Sequence, residues 1–243
     1  MVKRKRIESF NFPEGLIFQN KFKIGKRLGG GWESEVYRVY ELMTGIERAA
    51  KFFFPHRNVA NKAAKFHAKK LHKLKSCPIL IQYLTGGYIS YQGQDITYLI
   101  SDYVEGEVLE DFLNRQPGKK ISPFQGLHLL HALAKGLEDI HRLKEYHGDL
   151  HSGNIIVQRH GLGFELKVLD MYHWGTPNTE NYQHDITSMV RLFYDSIGGQ
   201  KTYSKMPAPI KNIICGLKST IILSKFKNVS RLRAHLENLE WDT

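Results

Sequence analysis

The hydrophobic pattern of the sequence changes once, near Glu105-Gly106, and this change limits the folds that the chain can adopt. Before it, short runs of β-branched and aromatic residues are separated by turn signals such as Gln92-Gly93, a pattern typical of antiparallel strands. After it, apolar residues recur every three or four positions, as they do on amphipathic helices. We therefore predict an α+β fold with a sheet-rich N-terminal part and a mostly helical C-terminal part.

The two periods also place individual elements. In the C-terminal part, Ser122-Pro123-Phe124-Gln125 predicts a helix start, because a capping serine, a first-turn proline and a third-position glutamine occur together. The apolar stripe of that helix is Leu127, Leu130, Ala134, Leu137 and Ile140. The predicted strands are 22–28, 36–40, 47–54, 83–91, 95–103, 155–158 and 165–169, and the other predicted helices are 58–74 and segments near Asp185, Pro209 and Val229.

Composition narrows the class of protein. The chain has 243 residues, of which 42% are hydrophobic, so it can bury one large core or two modest ones. Residues 1–20 form a basic N-terminal extension that we expect to be frayed. Cys77 and Cys215 have no partner at metal-ligand spacing, so neither a disulfide framework nor a zinc site has support. The net charge of +11 fits an anionic partner and ordinary surface lysines equally well.

The sequence also bears on membrane contact. Lys211 and Lys218 interrupt the apolar stretch 210–223, which falls short of a membrane span. The basic N-terminus is not followed by the apolar core of a signal peptide. We therefore expect a cytoplasmic protein with no membrane partner.

An acid, an amide and a second acid stand in the C-terminal part. Asp149 and Asn154 lie in the stretch 147–154, and Asp170 follows the two short strands predicted after it. One carboxylate can accept the proton of an attacking hydroxyl, while an amide oxygen and a second carboxylate hold magnesium. This spacing predicts phosphoryl transfer from Mg-ATP.

A glycine-rich turn and a lysine precede this site in the chain. The glycine-rich turn runs from Leu28 to Val36 and begins with Leu28-Gly29-Gly30-Gly31. The absent side chains of its glycines let backbone N–H groups approach phosphate oxygens. Lys51, at the end of Ala49-Ala50-Lys51, can send its ammonium toward the same phosphates. The turn alone also fits a plain glycine-rich hairpin, but with Lys51 it indicates a nucleotide-binding site.

In order and spacing, these motifs resemble the protein kinase superfamily over most of the chain, from about Phe22 to Leu239. The resemblance implies a bilobal fold, with residues 21–104 as the nucleotide-binding N-lobe and 105–243 as the catalytic C-lobe. It also implies ATP and Mg²⁺ as cofactors and a hydroxyl-bearing acceptor, most readily a protein. Asp185 resembles the start of a helix that anchors the catalytic loop.

The same resemblance assigns roles to particular residues. Asp149 becomes the catalytic base, Lys51 the phosphate-binding lysine, and Asn154 and Asp170 the metal ligands. Ser101 would be a small gatekeeper beside a hinge that binds adenine through its backbone. The nucleotide-binding residues carried over from the family are Leu28, Gly29, Gly31, Ser34, Val36, Ala49, Lys51, Asp102 and Val104.

One departure from the family concerns the partner of the lysine. No Asp or Glu occurs between Arg48 and Gln94, so the helix after the third strand cannot supply the glutamate that normally pairs with the lysine. His67 stands at the matching position. Lys51 is expected to pair instead with Asp170 or with an acid of the glycine-rich turn, Glu33 or Glu35.

Other departures concern the catalytic loop and the segment after it. Gly148 stands where many regulated kinases carry an arginine that binds a phosphorylated activation loop, so we do not expect that control here. Met171-Tyr172 replaces the usual Phe-Gly, and the segment to Asp185 is short and lacks Ala-Pro-Glu. His151 replaces the lysine that is common in Ser/Thr kinases. The motif His147-Gly148-Asp149-Leu150-His151 resembles the catalytic loop of aminoglycoside and choline kinases.

Three functional hypotheses remain open. The first is an active Ser/Thr protein kinase, the second a pseudokinase or binding scaffold, and the third a small-molecule phosphotransferase. His147 and His151 are weighed as a zinc pair, but Gly148 argues against the helix that this spacing needs. The lysine-rich stretch 62–75 is interpreted as a solvated helix face rather than a nucleic-acid site.

Overall fold

The computed structural model describes residues 6–161 and 163–240, which form two compact units. The first unit comprises the described residues up to Ser76 together with Ile81–Val104. The second comprises Cys77–Leu80 and the described residues from Glu105 onward. The functional roles of the two units stay a prediction. So do the bounds 1–20, 21–104 and 105–243 that were drawn from the sequence.

The first unit is built on one antiparallel sheet in the strand order β1-β2-β3-β4-β6-β5. Gln92 and Gly93 join the last two strands with φ of 52° and 71°, as a two-residue hairpin turn requires. The strands predicted from the sequence are confirmed to within a few residues, and a short first strand was missed. The strands are β1 Ile17–Phe18, β2 Phe22–Gly30, β3 Ser34–Glu41, β4 Glu47–Phe53, β5 Tyr83–Tyr91 and β6 Gln94–Asp102.

An aromatic cluster fills the core on one face of this sheet. The ring of Phe12 lies 4.8 Å from that of Phe52 and 5.0 Å from that of Tyr91, measured between ring centres. Ile7 and Phe10 are also buried. The expectation of a frayed extension is therefore wrong for this stretch, because its apolar side chains complete the core; Met1–Lys5 lie outside the described residues.

The helix of the first unit, α1, spans Lys62–Lys73 and begins later than predicted. Ala60 and Asn61 have positive φ and interrupt helical geometry, while the Asn58 side chain accepts a hydrogen bond from Ala64 N at 3.1 Å. Most lysines of this helix are exposed, as a solvated face requires, but one is buried. The exposed ones are Lys62, Lys65, Lys69 and Lys73, and the buried one is Lys70.

The second unit is mostly helical and carries a three-stranded antiparallel sheet in the order β7-β8-β9. Its elements are β7 Glu107–Val108, α2 Leu109–Asn114, α3 Pro123–Arg142, β8 Ile155–His160, β9 Gly163–Val168, α4 Thr179–Ser196, α5 Gln200–Tyr203, α6 Ala208–Ile214, α7 Ser219–Lys225 and α8 Val229–Glu237. The predicted α+β, bilobal class is confirmed. Leu162, between the strands predicted at 155–158 and 165–169, lies outside the described residues.

The longest helix, α3, begins where its capping signal predicts. Gln125 N donates to Ser122 Oγ at 3.2 Å, and Ser122 N donates to Gln125 Oε1 at 3.0 Å. Of the residues in the predicted apolar stripe, only Leu127 is partly exposed. The buried face of α3 is rotated slightly from the predicted one and includes Leu133.

The helix predicted near Asp185 starts earlier, at Thr179. Asn178 and Asn181 cap its N-terminus reciprocally, with both hydrogen bonds at 3.0 Å. Asp185 consequently lies inside α4 rather than at its start. Among the described residues, no helix has the length and apolarity needed to span a membrane.

Candidate active site

In the first unit, Lys51 lies beside a carboxylate of the glycine-rich turn. Its Nζ is 3.2 Å from Glu33 Oε1, and His67 Nε2 on α1 lies 2.7 Å from the same oxygen. The side chains of Lys51, Glu33 and His67 are 15%, 27% and 13% exposed, so the cluster is partly shielded from water. Glu33, one of the expected partners of Lys51, thus lies within ion-pair distance of its ammonium group.

The environment of Glu33 favours its ionised form. Burial by itself would raise the pKa of this carboxyl, but the hydrogen bond with His67 and the charge of Lys51 outweigh it and hold the pKa below its usual value. Glu33 is therefore a carboxylate at neutral pH, which is the state that pairs with an ammonium group.

The glycine-rich turn leaves room at two of its glycines. A Cβ added at Gly29 or Gly31 would meet nothing within 4 Å, and neither glycine has positive φ. Leu28 is exposed and Val36 is half-buried. Ser34, also predicted to bind nucleotide, is buried, because it pairs with Phe53 in the β3–β4 ladder.

The predicted hinge follows β6. Asp102 pairs through its carboxylate with Arg48 Nη1 at 2.9 Å, and its backbone N donates to Gln82 O at 3.0 Å. Its carbonyl oxygen accepts a hydrogen bond from Ser101 Oγ at 3.4 Å. Ala49 and Val104 are half-buried.

In the second unit, His147 fixes the start of the catalytic loop. It is fully buried, and its Nε2 donates to Leu169 O at 2.7 Å while its Nδ1 accepts from Asp149 N at 3.2 Å. Both ring nitrogens are therefore used, which assigns the proton to Nε2. His147 has a structural role in the loop, and the zinc-pair alternative with His151 has no free nitrogen on this ring.

Asp149 and Asn154 are held together. Asn154 Nδ2 donates to Asp149 O at 2.9 Å and to Asp149 Oδ2 at 3.2 Å. Asn154 is nearly buried, whereas the Asp149 side chain is 50% exposed. One carboxylate oxygen is thus oriented by the amide while the group stays open to an incoming reactant.

The backbone on both sides of Asp170 is tied to the catalytic loop. Leu169 N donates to Asn154 O at 2.8 Å, and Tyr172 N donates to His147 O at 2.9 Å. Asp170 itself adopts a left-handed conformation with φ of 47°. This uncommon geometry for a non-glycine residue turns the chain between the two hydrogen bonds.

Asp185 anchors the catalytic loop from inside α4. Its carboxylate accepts from His147 N at 2.7 Å, Gly148 N at 2.8 Å and His141 Nε2 at 2.9 Å. Burial would raise the pKa of Asp185, but the His141 hydrogen bond, the nearby imidazoles and the Gly148 amide together lower it.

Sequence reasoning missed the role of two aromatic residues. Trp174 Nε1 donates to Gly148 O at 2.9 Å, and Trp174 N donates to the Tyr146 hydroxyl at 2.7 Å. The Trp174 side chain is nevertheless largely exposed, at 62% for the whole residue. The only sequence signal was a tryptophan in a short segment after the second acid.

The chain is similar to known protein kinases. A model of the protein kinase domain matches residues 22–194. The chain is 28% identical over 160 residues to the serine/threonine-protein kinase pkn2 of Myxococcus xanthus, an alignment that covers 65% of this chain and 18% of that protein. It is 25% identical over 155 residues to a probable serine/threonine-protein kinase of Streptomyces coelicolor, covering 62% of this chain and 22% of that protein.

A human relative gives a similar match. Dual specificity testis-specific protein kinase 1 of Homo sapiens is 28% identical over 149 residues, which cover 61% of this chain and 22% of that protein. The alignments therefore span about a fifth of the length of these curated relatives. Because the domain model matches well over half of the residues, in the order the motifs predict, this chain belongs to the protein kinase domain family.

Proposed function

We propose that the chain is an ATP- and Mg²⁺-dependent kinase that transfers the γ-phosphate to a hydroxyl group, most readily a Ser or Thr of a protein. The observation that carries the proposal is the pair Asp149 and Asn154, in which an amide orients a half-exposed carboxylate. The names of the matched relatives support a Ser/Thr acceptor.

The residues present fit a magnesium ion. Both side-chain hydrogen bonds of Asn154 within the described residues use Nδ2, so Oδ1 is the atom that would face a cation. No group of three or more His, Cys, Asp or Glu side chains that could hold a metal ion by themselves occurs in the described part of the chain. Asn154 and Asp170 would therefore hold the ion together with phosphate oxygens, the usual arrangement for Mg²⁺ in such sites. Bound magnesium neutralises charge on the phosphoryl group in transit.

The other residues would act directly on the reactants. Asp149 would orient the acceptor hydroxyl and take its proton, and Lys51 would bind phosphate oxygens through its ammonium. Glu33 Oε1 lies 3.2 Å from Lys51 Nζ, so a carboxylate is present to orient the ammonium group. This pairing supports an active kinase over a pseudokinase, because it supplies a carboxylate in place of the missing helix glutamate.

The test is Asp149→Asn. We expect phosphate transfer to fall by about 10²–10⁴-fold, because the proton acceptor is removed, while the affinity for Mg-ATP stays within a factor of about two. Transfer can be followed with radiolabelled ATP and a general protein acceptor, and binding by calorimetry. Undiminished transfer in Asp149→Asn would contradict the assigned role.

The small-molecule alternative keeps one observation in its favour. His151, at the position where Ser/Thr kinases commonly carry a lysine, lies with its Nε2 3.8 Å from Asp149 Oδ2. A screen of proteins, aminoglycosides and choline as acceptors separates the two classes, since a small-molecule kinase would leave proteins unlabelled.

A further inference from the structure

We infer that Glu33 and His67 together replace the missing helix glutamate as positioning residues for Lys51. Glu33 supplies the carboxylate from the glycine-rich turn, and His67 supplies the connection to α1. The inference deepens the proposed function and rests on it. Neither residue is expected to touch the reacting atoms.

Backbone contacts fix Glu33 relative to the strand that carries Lys51. Phe54 N, just after β4, donates to Glu33 O at 2.9 Å, and Ser34 is paired with Phe53 in the β3–β4 ladder. Gly31 N closes the turn by donating to Ser34 O at 2.9 Å. The turn is therefore held against the end of the same strand, and the carboxylate of Glu33 has a defined place.

Side-chain contacts then complete the connection. One oxygen, Glu33 Oε1, is 3.2 Å from Lys51 Nζ and 2.7 Å from His67 Nε2. The buried ring of Phe53 borders both basic groups, at 5.5 Å from Lys51 Nζ and 5.8 Å from the His67 ring centre. An ion pair against an apolar ring is screened less by water than an exposed one, so it can orient an ammonium group.

Glu35, the other acid of the glycine-rich turn, binds different partners. Glu35 is 2% exposed, and its Oε2 accepts from Phe10 N at 3.2 Å and from the Tyr37 hydroxyl at 2.8 Å. Its Oε1 accepts from Ser9 Oγ at 3.0 Å. Glu35 therefore fastens the N-terminal segment to the sheet, and α1, which has no acidic residue, contributes an imidazole to Glu33 instead.

A contact on the outer side of the turn supports the same arrangement. The Arg57 guanidinium lies 3.9 Å from the Trp32 ring centre. This cation–π contact holds the residue before Glu33 against the segment that leads to α1. The turn is thus fixed on both sides of the carboxylate.

The closing experiment compares Glu33→Gln, His67→Glu and the double variant Glu33→Gln/His67→Glu. Glu33→Gln keeps the shape but removes the charge, and we expect kcat/KM for ATP to fall by about tenfold or more. The double variant returns a carboxylate from the helix, and we expect it to recover most of that loss. Glu47→Gln is the matched control, because Glu47 pairs with Arg38 in the same sheet and has no place in the site.

A second measurement does not depend on activity. In the protein without nucleotide, the ¹⁵N signal of His67 Nε2, assigned by its absence in His67→Gln, should shift in Glu33→Gln and stay unchanged in Glu47→Gln. An unchanged signal in Glu33→Gln overturns the inference whether or not the protein is active.

The kinetic outcomes separate the two proposals. Wild-type protein that neither binds Mg-ATP nor transfers phosphate contradicts the proposed function. Active wild-type protein with an equally active Glu33→Gln variant contradicts only the inference, and so does a double variant no better than Glu33→Gln. Unchanged thermal midpoints in all variants would show that the losses are not unfolding.

Discussion

At the scale of single residues, Gly148 shows how a small side chain serves the catalytic loop. Its φ is 83°, and a Cβ at this position would lie 2.8 Å from Trp174 Cδ1. The backbone conformation and the close indole both require glycine. Gly148 stands where many regulated kinases carry an arginine. In this structure glycine is needed there because a larger side chain would clash with Trp174.

We therefore expect Gly148→Ala to lower the free energy of unfolding by about 1–3 kcal/mol, because alanine is strained at this φ and the indole must move. Urea unfolding followed by fluorescence measures the change. Gly29→Ala is the control, since its added Cβ meets nothing within 4 Å and its φ is not positive. Equal stability of the two variants would count against this account.

At the scale of elements, Asp185 ties three parts of the second unit together. It lies in α4, accepts from His141 at the end of α3, and accepts two backbone N–H groups of the catalytic loop. Removing its charge leaves buried donors facing an amide that cannot satisfy all of them.

We expect Asp185→Asn to lower the free energy of unfolding by roughly 3 kcal/mol near neutral pH. The pKa of Asp185 is lowered from its ordinary 3.8 in the folded chain. Its contribution is therefore fully present above the unfolded-state pKa and is lost as the pH falls through the lower, folded-state pKa. The gap between wild type and variant should be full at pH 6 and shrink only below about pH 4.

Glu180→Gln provides the control for this pH series. Glu180 is exposed in the first turn of the same helix, and its neutralisation should change stability by less than about 0.5 kcal/mol. A gap between wild type and Asp185→Asn that widened on acidification would mean that the sign assigned to this pKa is wrong.

At the scale of the whole molecule, the net charge of +11 does not by itself imply a nucleic-acid partner. On α1 the aromatic residue that could stack on a base, Phe66, is approached by the Lys70 ammonium at 5.3 Å and by the His67 ring at 5.7 Å. The exposed lysines of this helix therefore lack a stacking platform.

We accordingly expect only weak, non-specific binding of single-stranded RNA, lost between about 50 mM and 200 mM salt. Fluorescence anisotropy with a labelled oligonucleotide at both salt concentrations tests this. Phe66→Leu should leave the signal unchanged. Binding that persists at the higher salt and depends on Phe66 would revive the nucleic-acid interpretation.

The sequence by itself determined much of the fold. Hydrophobic period and turn residues are local, so β2 to β6, α3 and its Ser122–Gln125 cap could be located without coordinates. It failed where distant side chains decided the outcome. The burial of Phe10, for example, depends on Phe52 and Phe54, which are distant in sequence. The start of α4 was missed for a different reason, because the cap formed by Asn178 and Asn181 is a local signal that the prediction did not use.

The candidate site divides in the same way. The residue types and spacing of Asp149, Asn154 and Asp170 are written in the sequence, and they indicated phosphoryl transfer before any geometry was known. The sequence left three candidates for the partner of Lys51, because an ion pair is a distance between residues from different elements. Of the two acids of the glycine-rich turn, the tertiary structure places Glu33 rather than Glu35 beside Lys51, because the turn is fastened to the end of β4 and His67 lies against Glu33.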